Sequence, residues 1–240
     1  MRSFVYGVHK ISSKMDSVHN HNARMTSSEP PAPRSTYRHG DLRRALLASG
    51  VELARHGGPD AVVLREATRR AGVVPNAAYR HFASRDDLLQ AVRAAALSAL
   101  AGAIESELAG LKRRRDAAQA ARARLRAIGT AYVRFALDEP GLFRTAFSAS
   151  DRPPADPDPD PEMAGASGLN PFQLLGAALD EMTAAGALPA RKRPGAEYLA
   201  WSAVHGIAML LIEGPLRAMP APEREHVIEA LLGMVEDGLA

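Results

Sequence analysis

The chain has no cysteine among its 240 residues. This absence excludes disulfide bonds, thiolate metal ligands and a cysteine nucleophile, and it is typical of a protein in the reducing cytoplasm. Aromatic residues are also scarce at 5%, whereas 46% of the sequence is hydrophobic, with alanine and leucine dominant. Such a composition can bury a large core and favours helices over strands. We therefore expect an all-α, cytoplasmic protein.

Sequence signals for membranes, export, strands and catalysis are missing as well. No apolar run reaches the roughly 18 residues of a membrane span, and the N-terminus lacks the apolar centre of a secretory signal. We find no β-hairpin pattern, no internal repeat, no HExxH or HxxxH spacing and no Gly-rich phosphate loop. No nucleophile and base can be paired from the sequence. We expect no membrane association, no metal, no cofactor and no enzymatic activity.

Positive charge is concentrated in one part of the chain. Residues 34–93 contain 11 arginines, no lysine and six acidic residues, whereas residues 94–240 contain 15 basic and 19 acidic residues. The formal net charge of +3 therefore hides a basic front and an acidic rear. This asymmetry indicates that only the front binds a polyanion such as DNA. The alternative is that the arginines are simply part of a solvated surface.

Two short helical patterns lie within residues 61–89 on either side of Gly72. Apolar residues recur at helical spacing before this glycine, at Val62, Leu64, Ala67 and Ala71. Glycine commonly ends a helix because it adopts positive φ without steric cost, and Pro75 suits the first position of the next helix. A helix, a turn with glycine and a short second helix over residues 76–82 form a helix-turn-helix pattern. The second helix is the candidate for the major groove, so double-stranded DNA is a predicted partner.

The remaining helices are predicted from apolar faces, caps and Gly or Pro stops. The first runs over about residues 40–56, although Gly50 inside it costs about 1 kcal/mol relative to alanine. The fourth begins after the N-cap Ser84 and extends to about Leu108, and Asp116 caps the fifth. The expected ranges of the fifth and later helices are about 117–137, 142–147, 170–185, 194–213 and 222–237.

Composition also predicts how the chain is divided. Residues 1–35 are polar and end in a proline-rich run, so we expect a disordered tail. Residues 36–83 form the predicted helix-turn-helix domain, and residues 84–240 form a helical regulatory domain. Residues 151–168 are rich in proline and acids, and we expect an exposed loop there. Because the fourth helix continues from the basic front into the acidic rear, the two domains are joined by a helix rather than by a flexible linker.

Two parts of the sequence resemble one protein family. The runs TYRHGDLRRALLASGVELARHG and LREATRRAGVVPNAAYRHFASRDDLLQAV, which cover the chain from Thr36 to Val92 almost continuously, resemble the tetracycline-repressor-like (TetR) bacterial regulators. WSAVHGIAML, residues 201–210, resembles the Trp-His-Gly type of ligand-binding C-terminal domain in that family. The resemblance implies an all-helical homodimer, in agreement with our count of about nine helices. Three N-terminal helices would bind DNA, the last two would pair with the partner, and ligand-driven movement of the fourth would change the separation of the recognition helices.

The resemblance also implies which residues contact DNA. Tyr79 and His81 match positions that contact phosphates, Arg85 matches a phosphate-binding lysine, and Asn76 is suited to pair with adenine. The full predicted set is Tyr37, Arg38, Arg65, Pro75, Asn76, Ala77, Tyr79, Arg80, His81 and Arg85. Alternative roles are core packing for Tyr79, solvent exposure for Arg80 and a plain helix lead-in for Tyr37 and Arg38. Phe82 is expected in the core.

Three positions depart from the family pattern. Val74 stands where serine or threonine often caps the recognition helix, which removes a hydrogen bond worth about 1 kcal/mol. The Ala77-Ala78 pair replaces a small polar residue and leucine, and Ala67 replaces a larger core residue. These departures affect base contacts more than the fold.

The resemblance further implies a ligand pocket and a dimer surface. The candidate pocket residues are Phe135, Phe143, Phe147, Phe172, Leu175, Met182, Trp201, His205 and Met209. Trp201 and His205 lie four residues apart on one helix face, and their alternative role is in the core, with His205 bonded to a carbonyl. The candidate dimerisation residues are Leu211, Val227, Ile228, Leu231, Leu232 and Val235.

Three functions fit these observations. The first is a DNA-binding homodimer, a repressor at a palindromic operator, released by a small apolar or aromatic effector. The second is a small-molecule-binding or enzymatic helical protein whose helix-turn-helix is vestigial. The third is an architectural DNA-binding protein without a ligand.

Overall fold

The computed structural model describes residues 39–148 and 160–240. Within these two ranges the chain forms nine α-helices and no β-strand, which confirms the all-α prediction. The helices are α1 (His39–Gly57), α2 (Leu64–Arg70), α3 (Pro75–Ala78), α4 (Arg85–Ala109), α5 (Ala117–Asp138), α6 (Pro140–Ala146), α7 (Pro171–Ala184), α8 (Ala196–Ile212) and α9 (Ala221–Leu239). Short 3-10 turns cover Pro59–Ala61, Pro161–Met163 and Ala190–Lys192. The tail over residues 1–35, Tyr37, Arg38 and the first half of the predicted acidic loop, residues 151–159, lie outside the described residues.

The predicted helix boundaries agree with the structure to within a few residues, with one exception. The recognition helix is a single α-helical turn, Pro75–Ala78, and residues 79–81 continue as a hydrogen-bonded turn. The predicted caps are present, since Ser84 and Asp87 form a capping box at the start of α4 and Asp116 caps α5. Capping side chains satisfy backbone N–H groups that have no partner inside the helix, which explains why these starts could be located from sequence.

The first four helices share one apolar core. Leu46 of α1, Phe82 after α3 and Leu88 of α4 are buried in it. Gly50 lies where α1 crosses α4, because a Cβ at this position would stand only 2.8 Å from Cγ2 of Val92. The close crossing therefore accounts for a glycine within a helix, where it is otherwise unfavourable.

The fourth helix is the central element of the described chain. It contacts α1, α5, α6 and α7, while α8 and α9 pack against α5 and against each other. By length and composition alone α4 could cross a membrane, as core helices of soluble proteins also can. Its contacts show that its apolar residues belong to the helical core.

A second connection joins α1 to the rear of the molecule. The start of α6 lies directly on the end of α1, and a Cβ on Gly141 would overlap the backbone carbonyl oxygens of Ala54 and Arg55. Beside this contact, Nε of Arg55 donates to both carboxylate oxygens of Glu139, at 2.8 and 3.1 Å. The unit formed by α1–α3 is thus attached to the rear through both α4 and α6.

Candidate DNA-binding surface and ligand cavity

The turn between α2 and α3 is set by backbone geometry. Gly72 has φ of +68°, a conformation that residues with a Cβ rarely adopt. The N–H of Val73 then donates to the carbonyl of Thr68, which closes the end of α2. Val74 supplies no side-chain cap to α3, as its sequence predicted, and 68% of the residue is exposed. The helix instead begins at Pro75, whose missing N–H needs no cap.

The short α3 presents two different faces. Ala78 and Phe82 are buried, and they fix this segment on the core of α1–α4. Pro75, Asn76 and Arg80 are exposed, and Tyr79 is 57% exposed. The ring of Tyr79 is thus available at the surface rather than packed into the core. Ala77 and His81 are half-buried at the edge of this surface, and Arg65 is exposed on α2.

Arg85 makes structural hydrogen bonds that the sequence did not predict. Its Nε donates to the carbonyl of Val62 at 2.9 Å, and its Nη2 donates to the carbonyl of Pro59 at 2.8 Å. The guanidinium therefore fastens the start of α4 to the segment that precedes α2. The side chain is still 42% exposed, so it remains accessible at the edge of the recognition surface. No sequence pattern indicates these carbonyl contacts, because the partners lie more than 20 residues earlier in the chain.

Two further arginines in this region are engaged with one acid. Arg69 and Arg70 both bind the carboxylate of Glu66, at 2.7 and 3.1 Å. The hydrogen bonds from Arg69 and then Arg70 lower the pKa of Glu66 to about 2. Part of the positive charge counted in the front of the chain is therefore neutralised locally along α2.

A cavity of about 580 Å³ lies between α4, α5, α7, α8 and α9. Its wall is almost wholly apolar and includes five aromatic side chains, namely Tyr132, Phe147, Phe172, Tyr198 and Trp201. Four predicted pocket residues, Phe147, Phe172, Leu175 and Trp201, line it. Phe135, Phe143 and Met182 are buried in the surrounding core, and His205 and Met209 are half-buried outside the lining.

The lining also contains residues that the sequence analysis did not select for it. Leu125, Ile128, Gly129 and Tyr132 come from α5 at spacings of three, four and seven residues, so the helical period of that sequence could have identified this face. Leu232 and Val235, which we predicted at a dimer surface, line the cavity. Sequence periodicity shows which residues share a face, but it does not show whether that face meets a cavity or a partner.

Tyr132 connects the polar groups of the aromatic wall. Its phenol oxygen accepts a hydrogen bond from Nε1 of Trp201 at 2.9 Å and lies 2.8 Å from Nδ1 of His205. Burial raises the pKa of Tyr132 above its usual value, and burial lowers the pKa of His205. Both groups are therefore uncharged near neutral pH. His205 is half-buried, and its partner is this phenol in place of the carbonyl that we considered.

An ion-pair cluster closes one side of the cavity. Arg126 on α5 binds Glu236 on α9 through two bonds of 2.9 Å, and its Nη1 binds Glu229 at 2.8 Å. Arg126 and Glu236 both belong to the cavity wall. The cluster links α9 to α5. Each nitrogen atom of the Arg126 guanidinium donates a hydrogen bond to a glutamate oxygen. Among the described residues no group of histidine, aspartate or glutamate has an arrangement suited to a metal ion.

The fold and these features define a class: an all-helical protein with an N-terminal helix-turn-helix and a rear part that encloses an apolar cavity. Residues 46–92 match the family model "Bacterial regulatory proteins, tetR family", and residues 125–235 match "Tetracyclin repressor-like, C-terminal domain". The two matches together span about two thirds of the chain, and the protein thus has both domains of a TetR-family transcription regulator. The more detailed Trp-His-Gly assignment stays a prediction.

Solved structures show the same fold. A protein of unknown function from Rhodococcus sp. RHA1 is 29% identical, with a TM-score of 0.67, 86% of this chain covered and 100% of that one. A tetR family transcription regulator from Shewanella sp. PV-4 is 18% identical, with a TM-score of 0.52 and coverage of 80% and 96%. A TetR variant from Acinetobacter baumannii AYE in complex with minocycline is 16% identical, with a TM-score of 0.50 and coverage of 80% and 93%. No curated protein matches the chain.

Proposed function

We propose that this protein is a cytoplasmic, ligand-responsive repressor that binds a palindromic operator as a homodimer and is released by a small apolar or aromatic effector. The observation that carries the proposal is a single helix, α4, that supports the recognition surface at one end and forms a wall of the apolar cavity at the other. A ligand that changes the position of α4 would therefore change the position of α3. Sensing and DNA binding account for both parts of the molecule without any catalytic step.

The proposed division of labour follows the helices. Residues 36–83 form the DNA-binding domain and residues 84–240 form the regulatory domain of the Trp-His-Gly type. On the DNA-binding side, Asn76 and Arg80 are exposed together with Tyr79. A phenol, an amide and a guanidinium on one small surface supply the donors that phosphates and base edges require. Arg65, Pro75, Ala77, His81 and Arg85 border this surface. Tyr37 and Arg38 lie outside the described residues and stay predicted DNA contacts.

The proposed dimer surface is an apolar stripe on α8 with its neighbours on α9. Leu199, Ala203, Gly206 and Leu210 recur at spacings of four, three and four residues, and Leu199 and Leu210 are 66% and 42% exposed. Met234 is exposed on α9, which contacts α8. Exposed apolar side chains in a contiguous patch mark interaction sites.

The residues that we predicted for dimerisation fit this surface only in part. Leu211 and Leu232 are buried within the chain, at 5% and 3% exposure, so little of either side chain is left for a partner. Val227, Ile228 and Leu231 are half-buried and remain candidates at the edge of the stripe. Val235 is half-buried too, but it lines the cavity. The proposed contact therefore shifts from the inner to the outer faces of α8 and α9.

Selection of DNA from a random-sequence pool by the purified protein tests the function. We expect the retained fragments to share a palindrome, and we expect log K to fall with log salt by about 0.9 for each phosphate neutralised. Tyr79→Phe, which removes one exposed hydroxyl, should weaken binding to all sequences alike. Asn76→Ala should instead change the preferred sequence. Failure to retain any fragment even at low salt would reject the proposal and favour the vestigial helix-turn-helix.

A further inference from the structure

The polar side chains of the cavity wall are already engaged with one another. Tyr132 is bonded to Trp201 and His205, and the side-chain oxygen of Asn170 accepts from the backbone N–H of Gln173 at the start of α7. Tyr198 is 62% exposed and is accessible to solvent. A ligand group inside the cavity would therefore find hydrocarbon and aromatic surface, and a polar ligand group would lose water without gaining an equivalent partner.

The charged groups of the wall are engaged as well. Arg126 directs its donors to Glu236 and Glu229, and Glu236 uses both oxygens to bind Arg126. A ligand carboxylate or sulfonate would have to displace one of these glutamates, and it would approach a cluster with more acids than bases. A charged ligand is thus opposed both by loss of its hydration and by a pre-existing ion pair.

The volume and the aromatic lining indicate the size and the kind of ligand. An apolar cavity of about 150 Å³ holds one benzene molecule. A cavity of about 580 Å³ therefore has room for roughly three to four rings. Phe172 and Trp201 meet edge to face, with ring centroids 6.1 Å apart, and Phe147 and Trp201 lie at 6.0 Å. Such rings pack well against another aromatic or alicyclic surface.

We propose that the cavity selects an uncharged hydrophobic ligand with a polycyclic or equally bulky skeleton, recognised by shape rather than by hydrogen bonds. The inference rests on the proposed function, and it specifies the chemical class of the effector. It also has a built-in reporter, because Trp201 is the only tryptophan of the chain and lines the cavity.

Two dyes with one ring system test the inference. N-phenyl-1-naphthylamine is uncharged, and 1-anilinonaphthalene-8-sulfonate is the same skeleton with one sulfonate. Titration of the full chain, followed by dye emission and by quenching of Trp201, should give at least tenfold tighter binding of the uncharged dye. Phe172→Ala should weaken that binding several-fold, whereas Val63→Ala, an exposed change before α2 that lies outside the lining, should not.

The outcomes separate the ligand class from the regulatory function. Equal or tighter binding of the sulfonate, or no saturable binding of the uncharged dye, would overturn the inference whatever the protein does with DNA. If the uncharged dye binds as expected but the protein retains no DNA fragment, the ligand class stands and the proposed function fails.

A second inference concerns the segment 160–170, which we name the strap. It lies along the outer side of α4, where Oγ of Ser98 donates to the carbonyl of Ala164 at 2.7 Å. Two turns further along α4, Glu105 accepts from the backbone N–H groups of Ala166 and Ser167, at 2.9 and 2.8 Å, and from the Ser167 hydroxyl. A Cβ on Gly165 would come within 2.5 Å of the Glu105 carboxylate, so a larger residue here would displace this carboxylate from its present position.

The strap touches three functional parts of the molecule. Met163 lines the cavity, the bonds to Ser98 and Glu105 hold α4, and Glu162 faces Arg43 of α1 with 3.5 Å between Oε1 and Nη2. At its end, Asn170 forms the capping box of α7. A ligand that presses on Met163 would therefore act on α4 and α1 through short polar contacts.

We infer that the strap couples occupancy of the cavity to the recognition surface, with Glu105 as its positioning residue. Coupling requires that the ligand interact differently with two arrangements of the chain. A segment held by side chains of α4 at two points, with its own apolar residue in the cavity wall, can provide that difference.

The coupling ratio tests this inference. The ratio is the DNA affinity without dye divided by that with saturating N-phenyl-1-naphthylamine, measured on the selected fragment. Glu105→Ala should reduce the ratio several-fold and increase hydrogen exchange at the amides of Ala166 and Ser167. Gly165→Ala, whose methyl group overlaps the Glu105 carboxylate and displaces it, should do the same. Glu107→Ala is the matched control on α4, because Glu107 binds Arg134 instead of the strap.

Three results would overturn the coupling role. The first is an unchanged ratio in Glu105→Ala although exchange in the strap rises. The second is unchanged exchange, which would show that Glu105 does not position the strap. The third is a bound dye that leaves the DNA affinity of the unaltered protein as it was.

Discussion

At the scale of single residues, the cavity depends on Tyr132. The phenol of this α5 residue accepts a hydrogen bond from the Trp201 indole and is hydrogen-bonded to the His205 imidazole. Both of these partners come from α8. It also contacts Phe143 edge to face, with centroids 5.3 Å apart. The sequence identified Trp201 and His205 as a pair, but it did not identify the phenol between them, because that contact spans about 70 residues of chain.

We predict that Tyr132→Phe destabilises the protein by about 1–3 kcal/mol, because the partly buried indole N–H and imidazole lose their shared partner. Urea unfolding, followed by helical circular dichroism, measures the change. Tyr198→Phe is the control, since Tyr198 is exposed, and it should stay within about 0.5 kcal/mol of the parent. Equal stabilities of the two variants would show that the phenol bonds contribute nothing.

Glu66 gives a second prediction at this scale, which concerns pH. Its pKa is lowered from 4.5 to about 2 by Arg69 and Arg70. Since the folded value lies below the unfolded one, the stabilisation is fully present above about pH 4.5 and is lost as the pH falls toward 2. An NMR titration of the side-chain carboxyl should show this low value, and Arg69→Ala should raise it. A normal value in the unaltered protein would contradict the bidentate geometry.

At the scale of elements, α6 is wedged against the end of α1. The contact depends on Gly141, which allows the start of α6 to reach the carbonyl groups of α1. The sequence predicted a short helix over about residues 142–147, but it gave no sign that α1 is the neighbour. Caps, helix breakers and periodicity encode where each helix begins and ends. They do not encode which other helix it packs against.

We expect Gly141→Ala to cost about 1–3 kcal/mol, because the new methyl group must displace backbone atoms in a tight contact. Gly102→Ala is the matched control within α4, where an added Cβ meets nothing within 4 Å. That control should be neutral or more stable by up to about 1 kcal/mol, as expected for alanine in a helix. The unfolding temperature should therefore fall in Gly141→Ala and not in Gly102→Ala, and a similar fall in both would refute the close contact.

At the scale of the whole molecule, the proposed regulator needs two copies. The stripe on α8 that contains Leu199 and Leu210 has no side chain projecting at its centre, because Gly206 lies there with open space around it. Two such stripes can approach closely across a twofold axis, and a twofold dimer matches a palindromic operator.

Leu210→Glu should convert the proposed dimer to a monomer in sedimentation velocity, because it places a charge within the apolar contact. It should also weaken operator binding strongly, since a single recognition helix holds only one half-site. Ala99→Glu puts the same charge on an exposed position of α4 and should preserve both properties. A Leu210→Glu protein that stays dimeric would move the interface away from α8.

The sequence by itself determined the all-α class, the order and approximate bounds of the helices, the turn at Gly72 and the caps at Ser84 and Asp116. Each of these is a local property of the backbone, set by periodicity and by residues with special conformational or hydrogen-bonding preferences. Only the tertiary structure decided that Arg85 binds carbonyl groups before α2 and that Leu232 faces a cavity. Only the tertiary structure placed Tyr132 between Trp201 and His205, and only the tertiary structure brought the strap into contact with Glu105. These are contacts between distant segments, and many arrangements of the same helices satisfy the same pattern of apolar residues until the helices are packed together.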